Sequence, residues 1–85
     1  MYYFICTENK NTEGVETILK QYFPNGFNIF APGKGVWKGV SEASLTIGVL
    51  TSDPELIQYA ALDIKELNQQ ESVLVLSFPV EAKFL

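Results

Sequence analysis

The spacing of apolar residues predicts two amphipathic helices in this chain. In the first segment, apolar residues recur three and four positions apart, at Val15, Ile18, Leu19, Tyr22 and Phe23. The second segment shows similar spacing at Ile57, Ala60, Ala61, Ile64 and Leu67. Residues with this spacing lie on one face of a helix, so each helix is expected to pack that face against a core.

Capping residues indicate where the two helices begin and end. Asn11 or Thr12 can cap the first helix, and the sequence Phe-Pro-Asn-Gly at 23–26 ends it. The second helix can begin in either of two ways: Asp53 can cap it with Pro54 at the first helical position, or Ser52 can form a capping box with Glu55. The pattern predicts that this second helix continues to about Asn68.

Four apolar or alternating segments predict β-strands, at Tyr2–Thr7, Phe27–Phe30, Leu45–Leu50 and Ser72–Phe78. Together with the helices they give the order β-α-β-β-α-β. Because strand–helix–strand connections are right-handed, both helices fall on the same face of the sheet. We therefore predict a single domain over residues 1–85. Its fold is expected to be a ferredoxin-like α+β sandwich, with a four-stranded antiparallel sheet in the order 4-1-3-2 and two helices on one face.

The sheet face opposite the helices is predicted to be apolar. In the strand at Leu45–Leu50, one row of side chains points to the core. The other row then lies on the sheet face opposite the helices, and its members are Ser44, Thr46, Gly48 and Leu50. Depending on register, the neighbouring strands add members of three pairs, Tyr3/Ile5, Asn28/Phe30 and Leu74/Leu76. Scattered apolar surface is normal in proteins, but a patch of this kind usually marks a partner surface. We expect a homo-oligomer formed through this face or through an edge strand.

Composition and charge argue against several kinds of partner. The chain contains no histidine and one cysteine, and its formal net charge is −4. Nucleic-acid binding needs a basic face, so no nucleic acid is expected. No apolar segment approaches the roughly 20 residues of a membrane span, so no membrane partner is expected either. Without a signal peptide, a disulfide or a metal-ligand set, we expect a cytoplasmic protein with no metal and no cofactor.

Catalysis is not expected either. Cys6 lies in a strand predicted to be buried and has no histidine to act as its base, which favours an inert core thiol. Glu42 has no second acid close to it in the sequence, so chemistry that needs paired carboxylates is not supported. Asp53 and Glu55 are explained by helix capping and the helix dipole. The sequence therefore predicts a protein that is not an enzyme.

The glycine-rich stretch 31–44, with the sequence APGKGVWKGVSEAS, is predicted to be the long connection of a hairpin. Its Gly33-Lys34-Gly35 segment lacks the spacing of a phosphate-binding loop, and a strand follows it instead of a helix. Two interpretations are open. The glycines can form an anion-binding nest aided by Lys34 and Lys38, or they only permit the left-handed conformations that a long connection needs.

Trp37 is the candidate ligand contact of this stretch. Its ring can stack on a planar ligand while neighbouring charged groups bind the polar edges of that ligand. Alternatively, Trp37 covers the core or contacts another copy of the chain, and Glu42 accepts hydrogen bonds from the turn. The ligand-binding interpretation predicts a site made of Lys34, Trp37, Lys38, Glu42 and Ser44.

Residues 35–47 follow the pattern G-x-W-x-G-x-x-E-x-S-x-x-I. This pattern resembles one in small uncharacterised proteins of phages and mobile elements, in which a strand, a helix and a strand precede the motif and an apolar strand follows it. The resemblance is close over these residues and covers the rest of the chain in outline. It implies a compact accessory protein that binds a host protein or sequesters a small signal molecule, and it brings no functional residues with it.

Two functions follow from these observations. The first is a non-catalytic, homo-oligomeric binding module that takes a small anionic or nucleotide-like ligand at the glycine- and tryptophan-containing connection. The alternative is a phage or mobile-element accessory protein that binds and inhibits a host protein, since an acidic surface suits a basic partner. Binding rather than catalysis is common to both.

Overall fold

The computed structural model describes residues 1–30 and 33–85 and contains the predicted elements in the predicted order. They are β1 (Tyr2–Glu8), α1 (Thr12–Tyr22), β2 (Asn28–Trp37), β3 (Val40–Leu50), α2 (Pro54–Asn68) and β4 (Leu74–Phe78). The strands form one antiparallel sheet in the order β2-β3-β1-β4. The ferredoxin-like fold and its spatial strand order are confirmed.

The two helices begin in different ways. α2 begins as predicted, because the Asp53 carboxylate accepts the backbone N–H groups of Glu55 and Leu56. At the start of α1, Asn11 has a left-handed backbone with φ 54° and its side chain makes no capping bond. The Asn11 side-chain amide instead donates to Asn68 Oδ1 over 3.1 Å, so it ties the start of α1 to the end of α2.

The core lies between the helices and one face of the sheet. It contains the apolar rows of both helices and of the central strands: Tyr3, Ile5, Val15, Leu19, Phe23, Leu45, Ile47, Val49, Ile57, Ala60, Ala61 and Ile64. Leu67, predicted to be in the α2 row, is partly exposed and rests on Gly14, where an added Cβ would stand 2.8 Å from Leu67 Cδ2. The next residue, Asn68, takes the buried position instead.

The opposite sheet face is apolar, as predicted, and it is strongly aromatic. We call it the open face, and its apolar members are Tyr2, Phe4, Phe30, Leu50, Leu74, Leu76 and Phe78. The ring of Phe4 lies at its centre and meets three other rings edge to face, with centroids 5.3 to 6.0 Å apart. Such pairs add stability beyond the area they bury.

The register of β1 corrects two expectations about this face. Tyr3 and Ile5 pair with Val49 and Ile47, so they belong to the core and not to the open face. Cys6 alternates with Ile5 and is half-buried on the open side of the sheet, so the prediction of a core thiol is wrong. Both errors arise because β1 is apolar on both sides, and a strand of that kind does not reveal its register.

The hairpin between β2 and β3 has far longer strands than predicted. Ala31 and Pro32, which begin the predicted connection, lie outside the described residues, but pairing continues from Gly33 to Trp37, which lies opposite Val40. The turn consists of Lys38 and Gly39, with φ of 49° and 78°. Two positive φ values match the two-residue turn that suits the twist of a hairpin. The prediction of a long loop over 31–44 is therefore wrong.

Candidate functional site

One face of the β2–β3 hairpin combines two glycines with the tryptophan. Successive side chains of a strand point to opposite sides, so Gly33, Gly35 and Trp37 share a face. On β3 the partners that extend this face are Ser44, Glu42 and Val40. Lys34 alternates with the glycines and lies on the other face of the hairpin.

The Gly35–Trp37 end of this glycine face forms one wall of a groove of about 650 Å³. Residues of β1, among them Cys6 and Glu8, line its floor, and residues 69–74 form the opposite wall. A Cβ added at Gly33 would stand 3.0 Å from Ser44 Oγ, and one at Gly35 would stand 3.6 Å from Glu42 Cγ. Because Gly35 lines the groove and Gly33 does not, glycine at position 35 is the one that keeps the groove open.

An ion pair joins the hairpin turn to the opposite wall of the groove. Lys38 Nζ lies 2.9 Å from Glu71 Oε1 and 3.1 Å from Oε2, and the Trp37 indole N–H donates to Glu71 Oε2 over 3.4 Å. The Lys38 ammonium, helped by the indole N–H, holds the pKa of Glu71 below its ordinary value. Because these side chains are about half exposed or more, the contact adds little stability. Its effect is to orient Trp37 at the mouth of the groove.

Two carboxyl groups meet at the floor of the groove. The β1–β3 register sets Glu8 opposite Ser44, so that the Glu8 side chain reaches Glu42 two positions along the same face. Partial burial and the hydrogen bond to Glu8 raise the pKa of Glu42. The Lys10 ammonium, 2.9 Å from Glu8 Oε2, holds the pKa of Glu8 below its ordinary value. Glu42 has no second acid near it in the sequence, but strand pairing places Glu8 beside it.

A buried polar network holds the wall formed by residues 69–74. Asn68 Nδ2 donates to Thr7 Oγ1 over 3.2 Å and to Gln70 Oε1 over 2.9 Å, and the Thr7 hydroxyl donates to the same Gln70 oxygen. Gln69 ends α2 in a left-handed conformation with φ 53°. The network therefore fixes the path of the chain just before Glu71. Across the described residues, every buried side-chain nitrogen and oxygen atom has a hydrogen-bond partner.

The predicted site residues are only partly brought together. Trp37, Glu42 and Ser44 line the groove, and Lys38 stands at its mouth in the ion pair. Lys34 does not reach them, because it lies on the other face of the hairpin. Trp37 is 48% exposed and does not cover the core. The interpretations of Trp37 as a ligand contact or as a contact with another copy both remain predictions.

The anion-binding nest proposed for the glycines does not form. A nest needs successive N–H groups that converge in a turn, whereas Gly33 and Gly35 lie in a paired strand. Among the described glycines of the stretch, Gly39 is the one with a left-handed φ. The alternative that the glycines serve turn geometry therefore holds at Gly39 and not at Gly33 or Gly35.

Sequence reasoning missed three residues that line the groove, Glu8, Gln70 and Glu71. All three lie more than 25 positions from Trp37 along the chain. Strand pairing brings Glu8 to the groove, and the Asn68 network brings the other two. The alternation Gly33, Gly35, Trp37 was visible in the sequence and is the signal from which a glycine face could have been inferred.

Within residues 1–30 and 33–85, no group of three or more histidine, cysteine or acidic side chains could hold a metal ion. No helix that the structure describes is long and apolar enough to cross a membrane.

Comparison with known proteins places the fold. No protein-family model and no curated protein sequence matches this chain. Among solved structures, the chain is similar to the periplasmic divalent cation tolerance protein CutA from Archaeoglobus fulgidus. The TM-score is 0.59 at 20% sequence identity, and the match covers 99% of this chain and 88% of the other. At that identity the similarity establishes the shared ferredoxin-like fold.

Proposed function

We propose that this protein is a non-catalytic, homo-oligomeric binding module whose groove takes a small nucleotide-like ligand. The glycine face is the observation that carries the proposal. Gly35 leaves backbone without a side chain next to Trp37, on the same face of the hairpin and in the wall of the groove. A planar base can lie against such a surface and stack on the indole, and stacking of this kind contributes about 1–3 kcal/mol per base.

The charges around the groove orient this ligand. Glu42 and Glu71 present carboxylate oxygen acceptors to the N–H groups on the edge of a base. The carboxylates disfavour an anion deep in the groove, whereas Lys38 stands at its mouth. The base therefore lies inside and any phosphate lies at the mouth, near Lys38. A nucleotide-like ligand, as predicted from the sequence, is therefore kept. Its anionic group lies near Lys38, and Lys34 does not contact it.

Support for a homo-oligomer comes from the open face. Its aliphatic members and two of its phenylalanines are between 39% and 56% exposed, and β2 and β4 are both free edges of the sheet. Soluble monomers rarely expose a contiguous apolar patch of this size. The phage or mobile-element role and the cytoplasmic location stay predictions. In the alternative function, a host protein binds to the open face in place of a second copy.

Tryptophan fluorescence tests the ligand, because Trp37 is the single tryptophan of the chain. We expect adenosine, guanosine, their monophosphates or their cyclic derivatives to quench Trp37 saturably. Gly35→Val should weaken binding at least about tenfold, a loss of about 1.4 kcal/mol, because the valine fills the groove. An added Cβ at Gly35 meets Ser44 Cβ at 3.4 Å, an ordinary contact, so the variant should fold. Lys34→Val is the matched control, since it changes the same strand on the other face.

Native mass spectrometry tests the assembly and any ligand that co-purifies. A defined oligomer, with or without excess mass that denaturation releases, supports the homo-oligomer. No saturable quenching with any of these probes, together with no bound small molecule, would refute the ligand. Unchanged binding in Gly35→Val would show that the ligand lies outside the groove. A monomer that forms a stoichiometric complex with a host protein would favour the alternative function.

A further inference from the structure

The C-terminal tail exposes apolar side chains that the domain does not use. Residues 79–85 follow β4 without regular structure and every one of them is exposed. Phe84 is 95% exposed, Leu85 is fully exposed and Val80 is about half exposed.

The tail is continuous with the open face. Phe84 lines a cleft of about 430 Å³ whose other walls include Tyr2 and Leu50. Both of these residues belong to the open face, at the end of the sheet where β4 stops. The apolar surface therefore extends from Leu74 along β4 and across the end of the sheet to Phe84.

The size of this surface fits an interface. Its exposed members are Phe30, Leu50, Leu74, Leu76, Phe78, Val80, Phe84 and Leu85. With about 150–250 Å² for a whole aromatic side chain and less for an aliphatic one, their exposed fractions amount to on the order of 800 Å². A standard protein–protein interface buries about 800 Å² on each partner.

The charge distribution favours a second copy of this chain as the partner. The chain carries a net charge of −4, so two copies repel each other through most of their surface. The apolar members of the open face are uncharged, which gives two acidic copies a place to meet without contact between like charges. The acidic side chains on this side of the sheet, Glu8 and Glu42, lie in the groove at the other end of the strands from Tyr2 and Leu50, so the end beside the tail is apolar.

We propose that the C-terminal tail is an interface arm, in which Phe84 and Leu85 of one copy pack against the open face of a second copy. The proposal rests on the homo-oligomer proposed above and adds the segment that completes it. In one copy alone Phe84 lines the cleft beside Tyr2 but remains almost fully exposed. The second copy supplies the apolar surface that buries it.

Light scattering coupled to size exclusion, over a dilution series of the protein, tests the arm. We expect the double variant Phe84→Ser with Leu85→Ser to raise the dissociation constant at least about thirtyfold, as for loss of an interface hot spot. Its melting temperature at concentrations where both proteins are monomeric should be unchanged, because these residues make no core contact. Tyr59→Ser with Leu62→Ser is the matched control, since both residues are about half exposed on α2, away from the open face.

A second variant, Leu76→Glu, separates failure of the arm from failure of the oligomer. If Leu76→Glu dissociates the assembly and the tail variant does not, the arm is refuted while the homo-oligomer stands. If the unmodified protein is monomeric at all concentrations, both proposals fail. If the tail variant lowers the melting temperature of the monomer without changing assembly, the tail packs on its own cleft and the arm is refuted.

Discussion

Gly48 of β3 lies directly beneath the ring of Phe30 of β2. A Cβ built on Gly48 would stand 2.9 Å from Phe30 Cε2 and 2.8 Å from Tyr2 Cζ, closer than carbon atoms pack. The missing side chain at this position is therefore what lets the rings of Tyr2 and Phe30 approach the backbone in the middle of the open face. Phe4, which pairs with Gly48, then meets both rings edge to face.

Gly48→Val is expected to disturb the open face rather than the core. The added side chain lifts the rings of Tyr2 and Phe30, and overpacking of this kind typically costs about 1–3 kcal/mol. Denaturant unfolding of the monomer measures that cost, and dilution measures the weaker assembly expected from a distorted interface. Thr46→Val, on the same face of the same strand, is the control and should change stability little. A Gly48→Val protein with unchanged stability and assembly would contradict the proposed role of Gly48.

Asn68→Leu is expected to be among the most damaging polar substitutions. Asn68 is 1% exposed and its amide bonds to Thr7, Gln70 and Asn11. Removal of the amide loses its hydrogen bonds to the buried Thr7, to the half-buried Gln70 and to Asn11, each worth about 0.5–1.5 kcal/mol. We expect a loss of about 2–3 kcal/mol in urea unfolding. The emission of Trp37 should also change, since the wall that carries Glu71 loosens.

Gln58→Leu is the control for that experiment, because Gln58 is exposed on the same helix. Exposed substitutions of this kind usually change stability by less than about 0.5 kcal/mol. Equal effects of the two substitutions would mean that the Asn68 network does not contribute to stability.

Glu42→Gln is expected to stabilise the protein at neutral pH and not in acid. The pKa of Glu42 is raised above its ordinary 4.5, so the folded state binds more protons than the unfolded state just above that value. The stability contributed by protonated Glu42 is therefore lost as pH rises through its folded pKa, and ionised Glu42 then faces ionised Glu8. Glutamine keeps the hydrogen bond without the charge.

Thermal melts from about pH 4 to about pH 8 test this expectation. The melting temperature of Glu42→Gln should exceed that of the unmodified protein at the upper end, and the difference should shrink as pH falls toward the ordinary pKa. Glu8 behaves in the opposite way. Because its pKa is lowered, its ionised carboxylate contributes stability to the folded state above about pH 4.5, and this stability is lost in acid. Glu66→Gln, exposed on α2 and outside the groove, is the control. A difference independent of pH would show that the two carboxyl groups are not coupled.

Local sequence patterns were sufficient for most of the fold. The α2 cap at Asp53 and the buried rows of both helices follow from short-range spacing, and the strand order follows from the handedness of the connections. The hairpin was misread because glycine is uncommon in strands, so a stretch with three glycines resembles a loop. In the structure, Gly33 and Gly35 are paired strand residues, and Lys38 with Gly39 is sufficient for the turn.

The candidate site was only partly readable from the sequence. Trp37, Lys38, Glu42 and Ser44 are close along the chain, so local reasoning found them. Lys34 was wrongly grouped with them. Side chains alternate between the two faces of a strand, and in β2 this alternation puts Lys34 on the face opposite Trp37. Glu8 and Glu71 are distant in sequence and become neighbours only through the β1–β3 register and the end of α2.

The sequence by itself determined the elements, their order and the open apolar face, because periodicity and turn chemistry act over a few residues. Tertiary structure decided which row of β1 faces the core, the pairing of Glu8 with Glu42, and the contact of Lys38 with Glu71. Each of these depends on the register between strands that are distant in sequence. That register is set by packing of the whole core, and a strand such as β1 that is apolar on both sides gives no local signal of it.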